Sequence, residues 1–251
     1  MKSLIQSILA LVLLGPLTAC ATGATIDRTS IADYFGDTRI NALLIAAEGG
    51  NEKATGGILT SGVDINAVGK GGATLLLMEM WRGKLEGYRM LLELGADPNI
   101  AAADGESVIL DAATLPDQRW LQLALKHGAN PNQVTASKSR LPLQEAIISG
   151  RRENIRVLLQ NGADINARNE GGVTAVITAA QIGDFDIVLE LLQKDADFRI
   201  KDHANSSVVT YIAHSFLPSD SPMVAWRDKV VAWLKKNGAT EDLTTGQKWK
   251  K

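Results

Sequence analysis

The chain is poor in the side chains that carry out chemistry. Its 251 residues include one cysteine, three histidines and only 5% aromatic residues. A single cysteine excludes an intramolecular disulfide framework and any cysteine-rich zinc or iron–sulfur site. An excess of charge is missing too: 26 Lys and Arg against 28 Asp and Glu leave a formal net charge of -2. That balance gives no electrostatic reason to expect a nucleic acid partner. No Gly-x-Ser-x-Gly elbow, His-Glu-x-x-His pair or phosphate-binding glycine loop occurs in the sequence. His127, His203 and His214 have no partner at a spacing that suits catalysis or metal binding. No catalytic residue, metal, cofactor or small-molecule substrate is therefore expected, and a binding module is favoured over an enzyme. What is present is 45% apolar and 22% charged, ordinary for a globular protein and too apolar for a disordered one.

The cysteine is Cys20, and its setting is specific. Lys2 supplies a positive charge, and Leu4 to Leu14 is apolar except for Gln6 and Ser7, before Gly15-Pro16 ends the run. This stretch is too short to cross about 30 Å of hydrocarbon and reads as the core of a signal peptide spanning 1–19. Leu17-Thr18-Ala19-Cys20 resembles the lipobox of bacterial lipoproteins. That resemblance implies cleavage before Cys20, acylation of its thiol and a lipidated tether over 20–29. Ala21, in place of Asp, implies sorting to the outer membrane of a Gram-negative bacterium, with the protein on its periplasmic face.

A phrase then recurs along the chain. Gly62-Val63-Asp64-Ile65-Asn66 is followed by Gly95-Ala96-Asp97-Pro98-Asn99, Gly128-Ala129-Asn130-Pro131-Asn132 and Gly162-Ala163-Asp164-Ile165-Asn166, with a worn copy at Asp195-Ala196-Asp197-Phe198-Arg199. Successive first positions lie 33, 33, 34 and 33 residues apart. Upstream of these phrases stand Leu141-Pro142-Leu143-Gln144-Glu145-Ala146 and Thr174-Ala175-Val176-Ile177-Thr178-Ala179-Ala180. Both halves of the pattern resemble ankyrin repeats, whose period is about 33 residues. The resemblance implies an all-α solenoid of about six repeats over 30–243, built of helix-turn-helix units with β-turn fingers. The Ala positions allow close packing of an inner helix, and Leu91-Leu92, Leu158-Leu159 and Leu191-Leu192 fill the interior from an outer one. Glycines that follow the outer helices suit a left-handed helix end. Gly72, Gly105 and Gly172, two residues before inner helices, suit tight finger turns.

The terminal repeats depart from the pattern, as capping units do. Gly56-Gly57 inside the first outer helix predicts a weak edge, covered by the segment Ser30 to Phe35. The last repeat is longer, with its surplus placed near Leu217 to Pro222, and its final helix offers Trp226, Val230 and Trp233-Leu234 as a cap. A tail is expected over 244–251.

One residue breaks the pattern inside the array. Glu79 stands where Ala46, Ala112, Ala146 and Ala179 stand in other repeats. A carboxylate buried there needs a partner or a raised pKa. A locally widened repeat and a functional role are both open readings, the first favoured.

Ankyrin-repeat proteins bind protein partners through finger tips and the inner-helix face. Mapped through the repeat, that resemblance makes Met78, Trp81, Leu115, Ile148, Ile182 and Tyr211 an apolar binding face. Lys138, Arg140, Arg168 and Glu170 form part of a charged finger rim. Contiguous apolar surface of this kind marks interaction sites. The chain resembles lipid-anchored periplasmic ankyrin immunity proteins, which block lipase-type toxins delivered by type VI secretion. The partners this resemblance implies are a protein, of the lipase-toxin type, and a membrane held through the lipid anchor. The alternative is a periplasmic scaffold or stress-related chaperone for envelope proteins.

Overall fold

A computed structural model describes residues 31, 34–102, 105–134, 140–215 and 217–240. The expectations for the signal peptide, Cys20, the tether, Lys138 and the tail lie outside these residues. The described part forms twelve α-helices, and no β-strand forms among the described residues. The chain divides into two compact units, one within Met1–Ala103 and the other within Asp104–Lys251.

The first unit contains α1 (Thr38–Glu48), α2 (Glu52–Thr60), α3 (Leu75–Trp81) and α4 (Leu85–Glu93). Polar side chains start three of them: Asp37, Asn51 and Thr74 accept backbone N–H bonds from the first turns of α1, α2 and α3, satisfying donors that a helix start leaves open. α1 packs against α2 and α4, and α3 packs against α4. Ile31 is fully buried, while the half-buried Tyr34 and Phe35 rings lie over Gly69, where an added Cβ would meet Tyr34 at 2.6 Å and Phe35 at 3.0 Å. Tyr34 and Phe35 of the expected covering segment thus lie against the finger that precedes α3, away from Gly56 and Gly57.

The weak edge is visible in α2, which buries only Thr55. Gly56 and Gly57 have nothing within 4 Å of an added Cβ. A glycine in a helix interior costs roughly 0.5–1 kcal/mol relative to alanine. Gly56→Ala is therefore expected to stabilise α2 by about 1 kcal/mol, read as slower amide exchange in that helix. No change, or a loss, would show that the glycine is held there by something other than helix propensity.

The second unit contains α5 (Val108–Thr114), α6 (Arg119–Lys126), α7 (Pro142–Ile148), α8 (Arg152–Gln160), α9 (Ala175–Ile182), α10 (Phe185–Gln193), α11 (Val208–Ala213) and α12 (Met223–Lys236). The inner helices form a row in which α5 meets α7, α7 meets α9 and α9 meets α11. Ala112, Ala146 and Ala179 are fully buried along this row, which is why its helices can approach closely. Leu158 and Leu191 are fully buried from the outer layer. The surplus of the last repeat lies between α11 and α12, as its Pro-rich composition suggests. α12 packs on α10, burying Val230 and Leu234. Trp233 is half-buried and meets Phe198 edge-on, and Trp226 is half-buried under the Lys229 ammonium.

The recurring phrase explains the fingers. Gly62, Gly95, Gly128 and Gly162 all have φ between 86° and 94°, the left-handed conformation that ends each outer helix. Asp195 takes that conformation at φ 67°, so the worn copy keeps its geometry with a less favourable residue. The Asp or Asn two positions on then accepts the backbone N–H two residues later, as at Asp64, Asp97, Asn130, Asp164 and Asp197. The Asn that closes the phrase reaches the next finger: Asn66 accepts from Asp97 N in the first unit, and Asn132 and Asn166 accept from Asp164 N and Asp197 N in the second. At these three steps a repeat supplies a side chain that sets the register of the next within its unit.

Candidate functional site

The inner-helix face of the second unit carries exposed apolar side chains. Ile148, the last residue of α7, is 51% exposed, and Ile182, the last residue of α9, is 50% exposed. Those two helices pack side by side. Leu115 caps the end of the neighbouring α5 and is half-buried. In the first unit, Trp81 ends α3 and is 38% exposed. Each of these positions lies at or just beyond the end of an inner helix, past the buried residues of its packed side. The side chain turns outward because the core has been left behind.

Other expected site residues are placed differently. Met78 is 1% exposed and belongs to the core, not to the surface face. It lies in a helix, Leu75 to Met80, buried all round, so repeat phase alone mispredicts its orientation. Tyr211 is half-buried, and its hydroxyl donates to Asp202 Oδ2 at 2.6 Å. Asp202 in turn accepts from Ala204 N and Ser206 N through Oδ1. Tyr211 therefore ties a finger to α11, and the Asp202 carboxylate beside it holds the phenol above its ordinary pKa. Arg140 forms an ion pair with Glu145 at 2.9 Å. Arg168 is exposed but donates to the Gly172 and Lys201 carbonyls, strapping two fingers together. Glu170 is exposed.

The most unusual site is the buried carboxyl of Glu79, which is 0% exposed. Its Oε1 receives the Arg82 guanidinium at 2.8 Å, and Arg82 also meets Glu48 Oε1 at 2.6 Å. Lys84 Nζ lies 3.4 Å from Glu48 Oε2. Glu79 Oε2 has no hydrogen-bond partner. Burial, and then repulsion by Glu48, push the Glu79 pKa up to about 8, against the opposing pull of Arg82 and Lys84. The room for this group comes from Gly87 in α4: an added Cβ there would stand 1.8 Å from Oε2 and 2.8 Å from the carboxyl carbon. The sequence marks Glu79 as anomalous, but the glycine that accommodates it could be found only by asking which neighbouring helix position has lost its side chain.

A second buried polar side chain went unnoticed in the sequence. Asn154 is 2% exposed, and its Nδ2 donates to the carbonyls of Leu115 at 2.8 Å, Ala113 at 3.0 Å and Ala112 at 3.2 Å. Arg151 Nε adds a bond to the Thr114 carbonyl at 2.7 Å. α5 ends at the same repeat position as α3 and α7, but Leu115, set before Pro116, is extended, and these two residues of the next repeat donate to the carbonyls of the helix end. The signal was an Asn in an otherwise apolar stripe of α8.

Among the described residues, no group of three or more His, Cys, Asp or Glu gathers as a metal site would require, and no helix is long and apolar enough to cross a membrane. A groove of about 400 Å³ on the outer-helix side, lined in part by Arg156, Gln160, Glu190 and Lys194, brings together no nucleophile and base.

Comparison with known proteins agrees with this architecture. A family model of ankyrin repeats in three copies matches residues 109–202. Cyclin-dependent kinase inhibitor 2A of Homo sapiens is 31% identical over 123 residues, covering 49% of this chain and 78% of that protein. The chain belongs to the ankyrin-repeat family. Protein PhlB of Serratia liquefaciens is 36% identical over 109 residues, 43% of this chain. The match spans 48% of PhlB, so the chain covers about half of that relative's length. Among solved structures, the ankyrin repeat protein EF0377 superposes with a TM-score of 0.61 at 28% identity, over 76% of this chain and 96% of that one. An ankyrin repeat domain from Acinetobacter baumannii AYE gives a TM-score of 0.64 at 23% identity, over 77% and 97%, a likeness of fold alone. Ankyrin repeats imply a protein–protein interaction, and a protein partner is the functional class this family gives the chain.

Proposed function

We propose that the chain is a lipid-anchored periplasmic immunity protein, whose inner-helix face covers and inhibits a lipase-type toxin of type VI secretion. The observation that carries the binding face is the pair Ile148 and Ile182, half exposed at the ends of adjacent inner helices. Water-exposed apolar side chains in register on a rigid row are what a partner's apolar anchor can cover. The Leu17-Thr18-Ala19-Cys20 lipobox supports outer-membrane anchorage on the periplasmic side, and tethering there puts an inhibitor where a phospholipid-degrading enzyme acts. One human relative is by its name an inhibitor of another protein, so inhibition through repeats of this similarity has a precedent.

Affinity purification of the acylated chain from the envelope fraction tests this reading. It is expected to recover a lipase-type protein, and the purified chain is expected to inhibit that lipase. Ile148→Asp combined with Ile182→Asp is expected to weaken the complex by at least 100-fold, since interface anchors contribute on the order of 2 kcal/mol or more each. Recovery of resident envelope proteins without a lipase would replace this reading with the scaffold or chaperone. Inhibition that survives both substitutions would move the interface elsewhere.

A further inference from the structure

The Glu79 cluster has a consequence independent of any partner. α1 and α4 meet along a seam, and three charged groups of the first unit converge there: Glu48 at the end of α1, Glu79 in α3 and Arg82 just beyond it. Lys84, in the turn before α4, pairs with Glu48 at 3.4 Å and acts on Glu79 through its charge. α4 itself offers Gly87 to the cluster, while its charged residues Glu86, Arg89 and Glu93 pair with one another. One guanidinium thus serves two carboxyl groups, and the more deeply buried of them keeps an oxygen with no partner. A neutral carboxylic acid suits that place, because its proton removes the uncompensated charge. A carboxylate leaves a charge on a fully buried group, one of whose oxygens has no donor.

We propose that the Glu48–Arg82–Glu79 cluster is a proton-operated switch, holding the α1–α4 seam closed while Glu79 carries a proton and releasing it when the proton leaves. The direction follows from linkage. The ordinary value for Glu79 is 4.5, and the closed protein raises it to about 8. Between those values the closed form holds a proton that the open form gives up, so closure is favoured at low pH. It weakens as pH rises through this window and changes no further above about 8.

Native-state amide exchange across α1, α3 and α4 tests the proposal, after removal of the intrinsic tenfold rise per pH unit. The opening constant of the seam is expected to increase by up to tenfold per pH unit between about 5 and 8, on the order of 1,000-fold in all. Glu79→Gln, which keeps the shape and removes the titration, is expected to abolish this dependence. Opening that follows the same pH course in both chains overturns the proposal. A second measurement needs no variant: carbon-13 labelling of the glutamate carboxyls should show Glu79 titrating near 8, and a midpoint near 4.5 would overturn the switch.

Discussion

Gly87→Ala is expected to destabilise the native chain by about 2–3 kcal/mol, yet to stabilise a Glu79→Ala background by up to about 1 kcal/mol. The first number follows from overpacking: the new methyl group would overlap a carboxyl oxygen at 1.8 Å. Forced insertion of a methylene-sized group into a packed core costs about 1–3 kcal/mol. Glu79 cannot simply swing aside, because it is fully buried and held by Arg82. The second number follows from helix propensity. With the carboxyl gone, the nearest remaining neighbour of the new methyl is Glu48 Cγ at 3.3 Å, part of a flexible side chain that can give way. Alanine in a helix interior is then better than glycine by roughly 0.5–1 kcal/mol. A reversal of sign between backgrounds is the signature of two residues that are neighbours in one site. Urea unfolding of the four chains measures it, and the same sign in both backgrounds would show that Gly87 is not there to house Glu79.

Asn154→Ala is the second large effect, expected to cost about 2–4 kcal/mol. Three carbonyls at the end of α5 lose the same amide donor; that of Ala112 keeps the Leu115 N–H at 3.3 Å, while those of Ala113 and Leu115 lose the bond this amide gave them. Each buried acceptor left without a partner costs about 1–3 kcal/mol, with Arg151 still serving Thr114. Asn154→Asp is expected to be at least as damaging, because a carboxylate only accepts and would face carbonyl oxygens. Urea melts of both variants check this. A loss below 1 kcal/mol for alanine would mean that water takes over the amide's role.

These two sites show what could be read in the sequence and what could not. The 33-residue period, the left-handed glycines and the buried alanines were legible because each is a local requirement repeated many times. The extra segment ahead of the first repeat and the long last repeat were legible as departures from that period. Glu79 was visible as an anomaly, but its meaning depends on Gly87, eight residues on and in another helix. In the repeat phase Gly87 occupies the position held in the second unit by Asn154, and both face the end of the preceding repeat's inner helix. Lys84 and Arg151 correspond in the same way, reaching Glu48 and the Thr114 carbonyl. One junction is thus built with a carboxyl pair and the other with an amide and backbone carbonyls. Pattern matching treats both as noise, because neither solution repeats.

For the binding face, Ile148, Ile182 and Trp81 were placed by phase alone, and each is exposed in the structure. Met78 was not, because α3 is apolar on every side and phase cannot say which residues its neighbours cover. The repeat phase puts Arg168 in the charged rim and Tyr211 on the apolar face, and it cannot show that hydrogen bonds commit their polar atoms to the fingers. Side-chain commitments of this kind have no sequence period.

The central claim is that the inner-helix face of the second unit receives a protein. Photo-crosslinking in the native host tests it most directly, with a benzophenone amino acid placed singly at 148, at 182 and, as a control on the outer layer, at the exposed Glu153 of α8. The account predicts one discrete protein adduct from 148 and the same adduct from 182, with none from 153. Adducts from 153 alone, or none from either inner-helix position, would contradict it.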